Sequence, residues 1–188
     1  MAGAETVLDA DGYDVERARG GDPSAFDRLF ARHFARVYRF AYRMSGDADL
    51  AEDSAQGAFV RTYRALAGLR DGQSFLKYLF RAVLNQLKDE ARRRSRKPES
   101  SLDATDRTGD PNSAPDASVA TSERDEALHR AILALPEDFR TVLVLHHFEE
   151  MDVVDIARVL GVPEGTVKSR LGRARARLRE QLREWLVG

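Results

Sequence analysis

The chain reads as an all-α protein: a three-to-four-helix bundle and a helix-turn-helix unit, two small domains joined by a flexible acidic linker. Three observations predict this. Apolar residues recur at helical spacing through most of the sequence, with no strand-like alternation and no internal repeat. Residues 98–122 are built from Ser, Asp, Pro, Thr, Ala and Gly, with almost no large apolar side chain, so they cannot bury enough surface to fold alone. The segment Asp152 to Arg170 carries, in order, a cap, a short apolar-faced helix, a glycine stop and a proline restart.

Composition bounds the rest. The chain has 188 residues, 43% of them hydrophobic, enough for one ordinary domain or two small packed ones. There are no cysteines, which excludes disulfides, thiolate metal sites and a cysteine nucleophile, and agrees with a reducing cytoplasm. No stretch approaches the roughly 18 apolar residues of a membrane span, and the acidic start, with Glu5, Asp9 and Asp11, is unlike a signal peptide. The expectation is a soluble cytoplasmic protein without membrane insertion. A net charge of −1 conceals segregation of the charges along the chain, and the segregation decides the partners.

Residues 1 to about 13 show little periodic signal and are expected to form a loose tail, ahead of a first domain over 14–97. Asp22-Pro23 predicts a helix start, with Phe26, Leu29, Phe30, Val37, Tyr38, Ala41 and Met44 on its apolar side. Ser45-Gly46-Asp47 ends that helix, and Asp47 caps a second one reaching about Gly68, with Leu50, Ala51, Phe59, Val60, Tyr63 and Leu66 facing inward. After a loop from Leu69 to Gln73, a third helix runs from Ser74 to about Arg94 over Leu76, Leu79, Phe80, Val83 and Leu87. The linker 98–122 carries five acids, and its 25 residues reach at most about 90 Å extended or about 25 to 30 Å as a coil. The second domain, 123–188, opens with helices from Glu123 to about Leu135 and from Pro136 to about Phe148.

The final two helices are the most specific signal. Asp152 caps a helix that stops at Gly161, Pro163 begins the next, and Ile156, Leu160 and Val162 are expected to pack on Val167, with small Ala157 permitting a close crossing. Val167, Leu171, Ala174, Leu178 and Leu182 form the inward stripe of the last helix. Lys168, Ser169, Arg170, Gly172, Arg173, Arg177 and Arg179 lie on or beside the opposite surface, and residues 163–183 hold seven basic side chains against two acidic. Such a helix neutralises phosphates and reaches base edges in the major groove.

A second basic surface lies on the third helix. Lys77, Tyr78, Arg81, Asn85, Lys88 and Arg92 share a side, and Arg92, Arg93, Arg94, Arg96 and Lys97 extend it. Cations interleaved with a ring and an amide suit single-stranded DNA. Asp47, Asp49, Glu52 and Asp53 crowd the start of the second helix, where they favour the helix dipole and form an acidic patch able to dock a basic partner.

Together these segments resemble sigma factors of the extracytoplasmic-function class, which keep only sigma regions 2 and 4. The resemblance rests on Ala51-Glu-Asp-Ser-Ala-Gln-Gly-Ala-Phe59, on Leu79-Phe-Arg-Ala-Val-Leu-Asn85 with the arginines after it, on Leu135-Pro136 with Arg140, on Asp155-Ile-Ala157, and on Gly165-Thr-Val-Lys-Ser-Arg-Leu-Gly-Arg-Ala-Arg175. It implies a transcription initiation factor with region 2 over 14–97 and region 4 over 123–188, no catalytic residues and no cofactor. Glu52, Asp53, Gln56 and Phe59 are then expected at the clamp helices of the polymerase largest subunit, with the flap region as a further polymerase contact. Arg70, Asp71, Gly72, Gln73 and Ser74 form a loop that reads a flipped base of the −10 element with Asn85, beside Tyr78, Arg81, Lys88, Arg92 and Arg93. Lys168, Ser169, Arg170, Gly172, Arg173 and Arg177 meet the −35 element. The linker threads towards the RNA exit path, and an anti-sigma factor is an expected partner. Two departures stand out: Tyr78 replaces a tryptophan common in the family, and Gly172 offers no side chain for a base contact.

Two other readings explain less. A helix-turn-helix regulator binding an operator without polymerase leaves the acidic helix, the basic aromatic helix and the long linker without a role. An enzyme must draw on His33, His129, His146, His147, Glu149 and Glu150, which show neither metal-ligand spacing nor a nucleophile or phosphate-loop motif.

Overall fold

Regular structure is helical throughout the described residues, as expected. The computed structural model describes the backbone over 2–69, 72–96 and 123–183, and side chains over 10–69, 75–96 and 124–183. The expected linker therefore lies outside the described residues. The helices are α1 Ala2–Arg19, α2 Pro23–Ser45, α3 Ala48–Ala65 with a 3-10 turn Leu66–Gly68, α4 Gly72–Arg96, α5 Glu123–Leu133, α6 Glu137–His147, α7 Val153–Leu160 and α8 Glu164–Gln181.

Contacts divide the chain into two units, 1–38 with 52–105 and 39–51 with 106–188. In the first, Leu29, Val37, Phe59, Phe75, Leu79, Phe80 and Val83 are buried from three helices. α1 departs from the expected loose tail. It packs on α4, and it is anchored by charge: fully buried Asp11 meets Arg32 and His33, and buried Asp14 meets Arg28 and Arg32 at 2.7 and 2.8 Å.

α3 with its 3-10 turn keeps Ala51, Phe59 and Leu66 on the expected inward face but is turned away from it at Val60 and Tyr63. Ala51, Ser54, Ala55, Ala58, Phe59, Thr62 and Leu66 are buried, whereas Val60 and Tyr63 are about half exposed. Small side chains win the inward positions because they let α3 lie close to its neighbours. At Gly57 an added Cβ would stand 2.4 Å from Gln86 Oε1, and the Gln86 amide donates to the Asp53 carbonyl at 3.1 Å.

The second unit takes in the end of α2. Tyr42 stacks flat on His129 with centroids 4.8 Å apart, and the Arg43 guanidinium lies 4.4 Å over the Phe148 ring. Arg140 closes the corner between α5 and α6, donating to the carbonyls of Leu133 at 2.7 Å and Leu135 at 3.1 Å, and to that of Met44. Through these contacts 39–51 groups with the second unit.

The helix-turn-helix forms by the local chemistry expected of it. Asp152 Oδ1 accepts the Asp155 N–H at 2.7 Å, and Gly161 stops α7 at φ 66°. Nothing lies within 4 Å of a Cβ placed on Gly161, so Gly161→Ala carries only the left-handed backbone penalty, about 1 kcal/mol. Gly46, at φ 71°, adds a Leu133 methyl 2.7 Å from its would-be Cβ, so Gly46→Ala is expected to cost more. Urea midpoints of the two variants check that order.

Candidate nucleic-acid interfaces

α8 presents the outward face that its sequence predicts. Val167, Leu171 and Ala174 are buried, while Lys168, Ser169, Gly172 and Arg173 are exposed. Three of the other arginines are sorted by α6, which packs beneath α8. Its first turn holds Arg170 through Asp138 at 2.6 Å and Arg177 over the Phe139 ring at 5.1 Å. Its last turn holds Arg175, whose Nε donates to His147 Nε2 at 3.1 Å. The expected DNA-facing set thus splits into four outward residues and two, Arg170 and Arg177, turned to the flank. The sequence gives no sign of this, because Asp138 and Phe139 lie more than 30 residues away.

Accepting from Arg175 requires a neutral imidazole, and burial, then Arg175, then His146 lower the His147 pKa below its ordinary 6.5. His129, burdened by burial, then Arg43, then Arg140, is lowered as well. A histidine whose folded pKa is depressed stabilises the fold above its unfolded value, and that contribution drains as pH falls through the folded one. Unfolding midpoints should therefore fall as pH drops from 7.5 through 6.5 and below, and a His129→Gln variant should show a shallower fall.

α4 gathers the second basic surface. Arg81, Asn85, Lys88 and Arg92 are exposed on one side, with Lys77 and Tyr78 half-buried among them. Beside this stripe a cleft of about 520 Å³ is lined by Arg61, Tyr78, Arg81, Ala82, Asn85 and Asp89. Arg61, from α3, donates to the Ala82 carbonyl at 3.2 Å, which fixes a cation at the cleft wall that the sequence reading did not single out. No local pattern marks it: Arg61 stands three residues after Ala58, at the edge of the small-residue face of α3, and its place at the cleft comes from the Ala82 carbonyl of α4. Arg92 and Arg93 reach Asp89 and Glu90 at 3.7 and 3.6 Å in pairs too exposed to hold them from a phosphate.

The expected reading loop is not wholly a loop. Gly72, Gln73 and Ser74 belong to the first turn of α4, their side chains lie outside the described residues, and so do Arg70 and Asp71. On α3, Glu52, Asp53 and Gln56 are exposed, and Gln56 donates to Glu52 at 3.0 Å. Phe59 requires correction: it is 2% exposed, surrounded by Phe26, Phe30, Phe34 and Phe75. It supports the face from beneath and does not line it. Val60 and Tyr63, read as core, share the outward side with Glu52 and Gln56. Among the described residues no three His, Asp or Glu side chains are grouped to hold a metal, and no helix is long and apolar enough to cross a membrane.

Residues 29–97 match the family model for sigma-70 region 2, and residues 125–178 that for sigma-70 region 4. The RNA polymerase sigma-H factor of Pseudomonas aeruginosa is 36% identical over 92% of this chain and 93% of its own. The extracytoplasmic-function sigma factor SigW of Bacillus subtilis is 32% identical over 90% of this chain and 95% of its own. Among solved structures, CnrH in complex with the cytosolic domain of CnrY matches with a TM-score of 0.68 and 25% identity, over 93% of this chain and 98% of that one. The sigma factor RpoE of Bartonella quintana, solved with the anti-sigma factor NepR, has the same fold, with a TM-score of 0.69 and 24% identity over 84% of this chain and 96% of its own.

Proposed function

We infer what the chain does from one premise: it belongs to the extracytoplasmic-function sigma factors of the sigma-70 family. It binds core RNA polymerase and directs promoter-specific initiation by recognising −10 and −35 elements. Members of this family recognise DNA and are not enzymes, so the chemistry of nucleotide addition belongs to the polymerase, in the cytoplasm where the polymerase works.

The observation that carries this reading is the pairing of two unlike basic surfaces in one chain. The outward face of α8, with Lys168, Ser169, Gly172 and Arg173, has the width and charge for a major groove. The stripe and cleft of α4, with Tyr78, Arg81 and Asn85 around a recess of about 520 Å³, suit an unpaired strand. A duplex reader and a single-strand reader are needed together only where DNA is opened. Glu52, Asp53 and Gln56, joined by exposed Val60 and Tyr63, form the polymerase-docking face. An anti-sigma factor covering these surfaces is the expected inhibitory partner, and a tight complex on co-purification from the native cell tests it.

The test of the main reading is run-off transcription from a promoter library with purified chain and bacterial core polymerase. Promoter-specific transcripts that neither component yields alone are expected. Stable duplex binding without core association would instead favour an operator-binding regulator.

A further inference from the structure

The first turn of α6 contacts two arginines of α8 that stand seven residues apart on one side of that helix. Asp138 Oδ2 lies 2.6 Å from Arg170 Nη2, and the pair leaves the Arg170 side chain 23% exposed and that of Asp138 61% exposed. Phe139, the next residue, lies under the Arg177 guanidinium. Between the two arginines Ala174 is fully buried, so this flank of α8 is seated on α6: Arg170 is largely covered there, while Arg177 stays exposed beside the Phe139 ring. A carboxylate also suits the Asp138 position, since in the first turn it is favoured by the dipole of its own helix.

We propose that Asp138 is a specificity-determining residue of the recognition helix: by pairing with Arg170 it withholds that arginine from DNA phosphates, so non-promoter duplex meets one cation fewer. The inference rests on the reading that α8 lies on DNA. Non-specific affinity is set by how many phosphates are neutralised, each releasing counterions, and a guanidinium matched to a carboxylate at hydrogen-bond distance releases none. A phosphate approaching Arg170 also meets the exposed Asp138 charge. The residues that read the groove are left untouched, so the device lowers background binding without weakening recognition. Discrimination by the holoenzyme between promoter and bulk DNA widens accordingly.

The test uses the full chain on a short duplex without promoter elements, titrated across salt. Asp138→Asn is expected to bind more tightly, with a slope of log K against log salt steeper by about 0.9. Its advantage over wild type should then be about 3.5-fold larger at about 50 mM than at about 200 mM salt. Adding Arg170→Ala to Asp138→Asn should abolish the gain. A gain that survives Arg170→Ala, or one matched by Glu137→Gln, which removes the same charge one residue away, would assign the effect to the general field and overturn the proposal. Unchanged or weaker binding by Asp138→Asn would also overturn it. Failure of the underlying reading shows separately, as promoter transcription indifferent to Lys168→Ala with Arg173→Ala.

Discussion

Holoenzyme carrying Lys168→Ala together with Arg173→Ala is expected to lose about 100-fold or more of its run-off transcription from a promoter that depends on its −35 element. Both side chains are exposed on the outward face of α8. A good base contact is worth about 1–3 kcal/mol, or roughly 5- to 150-fold, so about 10-fold for each residue gives the expected loss. The loss should be much smaller on a promoter whose −10 element carries the recognition, because the α4 surface is untouched. Neither residue has a packing role, so the thermal midpoint and the affinity for core polymerase should stay at wild-type values. A lowered midpoint would turn the loss into a folding defect. Equal losses on both promoter types would place these residues somewhere other than on the −35 duplex.

The helix-turn-helix was legible in the sequence because its determinants are local. The Asp152 cap, the Gly161 stop and the Pro163 restart are each set within a few residues, and the Val167, Leu171, Ala174 stripe needs only helical spacing. The one-sided stripe on α4 was legible for the same reason. What the sequence did not reveal depends on the partner helix. Arg170 and Arg177 read as two more outward cations until α6 supplies Asp138 and Phe139. Arg61 becomes a wall of the α4 cleft only when α3 and α4 are side by side.

α3 shows a subtler failure. A reading weighted by apolar size sends Val60 and Tyr63 inward, yet the buried face is made of Ala51, Ser54, Ala55, Ala58 and Thr62 around a single large residue, Phe59. Close helix approach rewards small side chains, which hydrophobic periodicity undervalues. The same rotation brings Val60 and Tyr63 out beside Glu52 and Gln56, while Phe59 stays in the core where its spacing placed it, beneath the face that the family resemblance assigned it to. The outward face of α3 thereby carries apolar area that charge counting alone does not predict.

α1 escaped the sequence reading for a different reason, and its anchor is where the largest stability effect is expected. The apolar residues of this helix are mostly small and show little helical spacing, and Val15 and Ala18 are the buried apolar ones among its described side chains. Its place is set instead by Asp11, fully buried, which receives His33 Nε2 at 2.8 Å and the Arg32 guanidinium. Removing one partner of a buried ion pair strands the others and costs about 3–5 kcal/mol. Asp11→Ala should accordingly lower the thermal midpoint of this small domain by about 12 °C or more, whereas Asp11→Asn, which keeps an acceptor oxygen, should lose less. Hydrogen exchange should quicken first in α1 and in the α4 backbone it packs against, since the polar network, more than apolar area, holds α1 there. Acid should loosen the same helix through Asp14. Burial pushes the Asp14 pKa up, but hydrogen bonds from Arg28 and Arg32 outweigh it and hold the carboxyl below its ordinary 3.8. The stability that Asp14 contributes is thus complete above that value and is lost as pH falls through the lower folded one. If Asp11→Ala leaves both the midpoint and α1 exchange unchanged, the buried charges are incidental, and α1 is held by apolar packing.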